Sequence, residues 1–474
     1  MTAQTILPAN TLSSGFDVAN SVRFNSADSA SMEKNAAAPT DNNKWTFSAW
    51  VKRSKIGSLQ EILYGDDGST SNYCTIRFND TSDTLTFKNR PGSTTSTLTT
   101  NAVFRDVAAW YHLVVVLDTS NGTAANRDII YINGVRETNY STESHSGDGD
   151  ACYINFDGDP IKISKGRTGS FFDGYMSEVY FIDGQALAAD SFGEFDEDSG
   201  IWKPIDASGL TFGNNGFYLD FKASGNLGND ANGGTDLTET NLAATDQTTD
   251  TCTNNFATLN SRDIFYVNGV LSEGNCKYVG SSGNYDFVYS TLQVTKGKWY
   301  FEGTYKAGDS DNGLIGITGK AMTDTANYLG KTATHEFAYI GNQGRTVTGG
   351  SFSTSGSYDA FTHDDVIGVA VDLDNNKIYY SKNGTFQNSG DPTSGATGTG
   401  ALAITAAAST TNGSYALAVS SFDSDDADEW EVNFGNPVAA LSSAANDGNG
   451  FGSFEYAPPS GYLALCTKNL ATDG

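Results

Sequence analysis

The stretch Asp364–Phe386, DDVIGVAVDLDNNKIYYSKNGTF, puts an apolar side chain at every second position: Ile367, Val369, Val371 and Leu373. A period of two places these side chains on one face of a pleated strand. Asn375 and Asn376 tolerate the positive φ that a tight hairpin needs. A two-residue loop there predicts Leu373 opposite Ile378 and Val371 opposite Tyr380, which continues the apolar face across the turn. The same pattern recurs along the chain, and no helical period of comparable length competes with it. Such a sequence is restricted to half-buried strands in antiparallel sheets.

The pattern appears in WTFSAWVKRS (Trp45–Ser54), with Trp45, Phe47, Ala49 and Val51 on one side, and again in WYHLVVVLD (Trp110–Asp118) and RDIIYINGV (Arg127–Val135). FFDGYMSEVYFIDG (Phe171–Gly184) alternates with apolar residues on both faces: Tyr175, Ser177, Val179 and Phe181 on one, Met176, Glu178, Tyr180 and Ile182 on the other. Gly, at 52 residues, supplies turns, and Pro, at 9, is sparse. Only GQALAADSFGEF (Gly184–Phe195) and NPVAALSSAA (Asn436–Ala445) read as helical, and both are short. A chain of 474 residues is too long for one sandwich. The prediction is an all-β chain of two antiparallel jelly-roll-type β-sandwiches. The expected division is 1–20 as a polar N-terminal segment, 21–220 as the first sandwich, 221–260 as a Gly/Asn/Asp/Thr-rich linker, and 261–474 as the second sandwich with its C-terminal tail.

The 28 basic and 56 acidic residues leave a net charge of −28. That field repels nucleic-acid backbones and anionic lipid, so neither is an expected partner. The odd set Cys74, Cys152, Cys252, Cys276 and Cys466 has neither CxxC nor zinc-ligand spacing. Buried thiols, rather than a disulfide framework, are expected. No export signal is visible in MTAQTILPANTLSSG, and no run is long enough to span a bilayer.

Two groups of segments resemble known families. WTFSAWVK, WYHLVVVLD, IIYINGV and FDGYMSEVYFID occur in the order seen in laminin-G/concanavalin A-like lectin domains. GKWYFE, IGI, DDVIGVAVDLDNNKIYYSKNG and VNFG resemble a SPRY domain. With RFNSADSA, FYLDF, TDQTTDTCTNNFATLN and PSGYLALCTKNL, the whole order resembles virion proteins of tailed, marine-type bacteriophages. The resemblance implies a non-enzymatic virion structural protein, a tail or head fibre or appendage, exposed on the particle and displaying lectin-like domains for host recognition. Its implied partners are other virion proteins, met through the N-terminal segment, and a host-surface glycan or protein. It also implies a homo-oligomer, with a trimer favoured. The alternatives are a bacterial secreted or surface adhesion protein and a tail-associated polysaccharide-degrading enzyme.

The chemistry-bearing residues offer little for catalysis. A glycosidase needs two carboxylates flanking a sugar cleft. The candidate pairs are Glu194/Asp196, in what reads as a helix end and loop, and Glu429/Glu431, which share a strand face opposite Trp430, Val432 and Phe434. The latter spacing is what any half-exposed strand produces. His112 reads as a sheet residue, His145 and His363 lie in polar loops, and none of these nor His335 belongs to a nucleophile motif. No catalytic or cofactor-binding residue is therefore assigned. Calcium is the one cofactor considered, in Gly65–Ser69, Asp148–Asp159, Gly308–Gly313 (where Asp309 and Asp311 match the start of an EF-hand loop) or Phe422–Glu429. Ordinary solvated turns are the competing reading for each, and the metal site stays unknown. Tyr339, Arg345, Tyr358 and Phe361, among Asn, Asp and Gly in His335–Asp365, are the glycan-stacking candidates. The competing reading there is a long loop with its aromatics tucked beneath it.

Overall fold

In the computed structural model, residues 15–262, 269–281, 285–308, 311–320, 327–331, 334–422 and 427–474 are described. The described residues divide into two compact units, 15–253 and 254–474. The polar lead expected over 1–20 lies mostly outside the described residues; within it Val18 is buried and exchanges hydrogen bonds with the Thr253 hydroxyl.

The first unit is a sandwich of two antiparallel sheets, each of eight strands among the described residues. One is built on Lys44–Arg53, flanked by Trp110–Asp118 and Gly174–Asp183. The other runs through Ser96–Val103, Thr84–Pro91, Asn72–Phe78 and Gln60–Asp66. Trp45, Phe47, Ala49 and Val51 point inward, as their alternation requires, and meet Ile76, Phe78, Phe87 and Leu98 of the facing sheet in one core.

Three expectations for this region are corrected. The segment expected as a linker, 221–260, is built largely into the first sandwich. Thr238–Thr240 and Gln247–Thr248 add edge strands to the two sheets, and Phe221, Leu227 and Leu237 enter the core. The polar composition hid this because an edge strand needs only a few apolar side chains on its inner face. In Gly174–Asp183 the alternation breaks at Glu178, which takes φ 50° at a bulge between Ser177 and Tyr180. Met176, Val179 and Phe181 thus share the core, while Tyr180 and Ile182 pack in a second layer on the outer face. Gly184–Phe195 is not a helix either. It holds one 3-10 turn, Ala189–Ser191, and then strand Gly193–Phe195, which pairs with Trp202–Pro204.

The second unit is also a sandwich. A sheet built on Lys298–Ala307, Val366–Asp372, Lys377–Lys382 and Glu429–Asn433 faces one built on Leu314–Thr318, Glu336–Ile340 and Tyr415–Ser421. Trp299, Phe301, Val369, Val371 and Trp430 meet Ile315, Ile317, Leu417 and Val419 between them. The hairpin is present, but its register differs from the expected one by two residues: Val371 pairs with Ile378 and Val369 with Tyr380. Asp372 caps a longer turn by accepting from the Asn375 backbone and side chain, and Asn376 takes φ 55°. A slip of two keeps every side chain on its face, so the alternation alone could not discriminate. Asn436–Ala445 forms no helix. The described α-helix is Thr467–Asp473, and the tail strand Leu463–Ala464 pairs in parallel with Lys298–Ala307. An all-β chain of two antiparallel sandwiches is what the structure shows.

Candidate functional site

Nothing in the described residues assembles a nucleophile. His112 is the one histidine in hydrogen-bond contact with a serine hydroxyl among them, with Nε2 2.8 Å from Ser48 Oγ. The other ring nitrogen, Nδ1, accepts from Trp202 Nε1 at 2.9 Å. An indole can only donate, so Nδ1 is unprotonated and Nε2 carries the hydrogen. Nε2–H therefore donates to Ser48 and cannot take its proton. Burial pushes the ring down to about 3, and the imidazole stacks between Trp50 and Trp202. It is a packed sheet residue, as read from its strand. His145, His335 and His363 are elsewhere: His145 beside Glu143 and Asp128, His335 ahead of strand Glu336–Ile340, His363 on the Gly308 carbonyl.

Glu194, Asp196 and Glu429 are engaged in ion pairs of the fold. Lys203 bridges Glu194 at 3.3 Å and Asp196 at 3.2 Å across their hairpin. Glu429 pairs with Lys277 at 2.7 Å, while Trp430 and Val432 point into the core. Glu431 opens onto an acidic cleft of about 500 Å³ on the outer face of its sheet, lined also by Glu302, Lys306, Asp364, Glu455 and Tyr456. Burial raises Glu302 to about 7, the range of a general acid. Its two oxygens, however, accept from the Tyr300 hydroxyl, Asn433 Nδ2 and the backbone N–H groups of Glu455 and Tyr456. A carboxylate with all its acceptor positions filled anchors the covering segment and has no lone pair left for a substrate proton.

The calcium candidates do not converge. Asp66 takes Lys162 and the Tyr64 hydroxyl, Asp67 takes Asn72, and Asp150 closes its own turn on the Gly147 N–H. Asp309 and residues 423–426 lie outside the described residues. Among the described residues no three His, Cys, Asp or Glu side chains form a set able to hold a metal ion. The glycan-stacking candidates follow the competing reading, a long loop with its aromatics tucked beneath it. Tyr339 and Phe361 are core residues, Tyr358 packs on them, and Arg345 lies over the Phe352 ring at 4.3 Å.

The surface that sequence reasoning missed lies on the first unit. Phe195 is 49 % exposed and sits edge-on to Trp202, with ring centroids 4.9 Å apart. Trp202 is pinned by its bond to His112 and by Gly134, whose missing Cβ leaves room for the indole. Tyr131, Asp190 and Glu194 complete a recess of about 380 Å³. An aromatic edge with carboxylates beside it is the chemistry that stacks on a sugar face and accepts from its hydroxyls. The signal was present in GEF and IWK, but a helix assignment obscured it.

Comparison with known proteins places names on these units. Residues 24–191 match the family model described as the concanavalin A-like lectin/glucanases superfamily, and residues 298–418 match the SPRY domain. The first match falls within the first sandwich and the second within the second sandwich. None of the curated proteins matches it. Among solved structures it is similar to the SPRY domain of human HERC1, at 14 % identity and TM-score 0.29, over 37 % of this chain and 96 % of that one. It is similar to a heptameric SAP-like pentraxin from Limulus polyphemus, at 14 % identity and TM-score 0.28, over 37 % and 80 %. A putative carbohydrate binding protein from Bacteroides ovatus shows 16 % identity and TM-score 0.29, over 48 % and 61 %. The lectin and SPRY assignments support a binding role for the chain.

Proposed function

We propose that the chain is a non-enzymatic recognition protein of a tailed-bacteriophage particle, a tail or head fibre or appendage, that binds a host-surface glycan through its lectin-like domain. The observation that carries the binding reading is the Phe195–Trp202 recess. It exposes an aromatic ring on a rigid hairpin, beside carboxylates, in a domain whose family binds sugars. Phe195→Ala removes the exposed ring and leaves the buried contacts of Trp202 in place. It is expected to weaken binding to host polysaccharide at least about tenfold in calorimetry, a loss of about 1.4 kcal/mol. Unchanged affinity would move the site elsewhere.

The particle assignment is supported by the order of joining segments that resembles phage virion proteins. Two of those segments, Phe217–Leu219 and Leu463–Ala464, are strands that pair with central strands of the sheets. Mass spectrometry of purified virions tests it: the chain should co-purify with the capsid and tail proteins, and its absence would favour a bacterial adhesion protein. Attachment through the N-terminal segment and assembly as a trimer belong to the same proposal. The non-enzymatic reading rests on the filled acceptor positions of Glu302 and the Lys203 bridge. New reducing ends after incubation with host polysaccharide would overturn it.

A further inference from the structure

Cys74 and Cys152 are both fully buried in the core of the lectin-like domain, 78 positions apart in sequence. Cys74 lies in strand Asn72–Phe78. Its cross-strand neighbours are Gly65 on one side and Asn89 on the other. Residues directly opposite share a face, so these three point the same way. The loop carrying Cys152 is held over both neighbours. Asn89 Nδ2 donates to the Ala151 carbonyl at 3.1 Å. Gly65 has no room for a Cβ, because the Tyr153 carbonyl and the Ile154 Cα occupy its place. The residue before Cys152 is thus fixed above one neighbour of Cys74 and the residue after it above the other. That seats Cys152 over Cys74 in the same core. Burial, and then the Cys152 thiol, raises Cys74 well above its ordinary value, which keeps it un-ionised and slow to react once folded.

We propose that Cys74 and Cys152 are an oxidation site that closes into a disulfide, stapling the loop 145–159 to the sheet. All five cysteines are thiols in this structure. With a small-molecule disulfide RSSR as oxidant, each cysteine loses one hydrogen, a sulfur–sulfur bond forms between them, and RSSR takes up two electrons and two protons to leave as two RSH. Exchange proceeds through a mixed disulfide while the loop is undocked, during folding or local opening. The bond spans a long loop of chain, so closing it removes substantial freedom from the unfolded state.

The test is to refold the full chain with oxidised glutathione, alkylate in denaturant, and measure intact and peptide masses. The expected result is loss of two hydrogens, a peptide pair joined through Cys74 and Cys152, and alkylation of Cys252, Cys276 and Cys466. The oxidised protein should melt several degrees higher than the same sample treated with dithiothreitol, a difference absent in Cys74→Ala and Cys152→Ala. Alkylation of both Cys74 and Cys152 after oxidative refolding, or a different joined pair, would overturn the proposal. The peptide readout on the unaltered chain stands even if a variant fails to fold.

Discussion

Glu178 takes two tyrosine hydroxyls, Tyr180 at 2.6 Å and Tyr218 at 2.8 Å, on the same carboxylate oxygen. Burial raises it from 4.5 to about 7. A carboxyl raised in this way holds its proton in the folded chain after the unfolded chain has released it. Stability should therefore fall as pH rises from about 4.5 to about 7 and level off above, by on the order of 3 kcal/mol from this group. Glu178→Gln keeps an acceptor for both hydroxyls and should flatten that part of the profile; an unaltered slope in urea unfolding across the window would contradict this. Lys52 and Asp250 form a buried ion pair at 2.8 Å, with Trp110 Nε1 donating to the same carboxylate at 3.2 Å. Asp250→Ala takes the carboxylate from a buried ammonium and should cost about 3–5 kcal/mol. A change under about 1 kcal/mol in denaturant unfolding would contradict this.

Among elements, the stretch after Asp220 is where composition and structure part. Its Gly, Asn, Asp and Thr residues suit turns, and its few large apolar residues are spaced too widely to show a period. Yet Leu227, Leu237, two edge strands and Asp250 all belong to the first core. A chain spanning 12–253 should fold alone, whereas one ending at Asp220 should be insoluble or lack a cooperative transition. Circular dichroism melting of the two separates them, and equal melting temperatures would make the segment dispensable. The Glu178 bulge teaches the same lesson from the other direction. One residue at positive φ re-aims every side chain after it, so parity counted across FFDGYMSEVYFIDG assigns half the strand to the wrong face.

For the whole molecule, the division at Thr253–Asn254 gives each sandwich its own core. Calorimetry of the full chain should show two transitions, each matching that of the isolated unit; a single transition with a van't Hoff enthalpy equal to the calorimetric one would show that the units unfold together. The charge of −28 acts at this scale as well. It favours neutral or cationic partners and predicts weak association with nucleic acid at any salt concentration.

Alternation by itself determined the all-β class and the inward faces of Lys44–Arg53 and Val366–Asp372, because those properties depend only on which neighbouring side chains share a face; the length of the chain set the plan of two sandwiches. Tertiary structure alone decided the register of the Asp364–Phe386 hairpin, the place of the segment after Phe221, the burial of Tyr339 and Phe361, and the exposure of Phe195. Each of these turns on what another part of the chain covers. Local sequence sets the direction in which a side chain points, but only the assembled sheets decide whether it meets protein or water there.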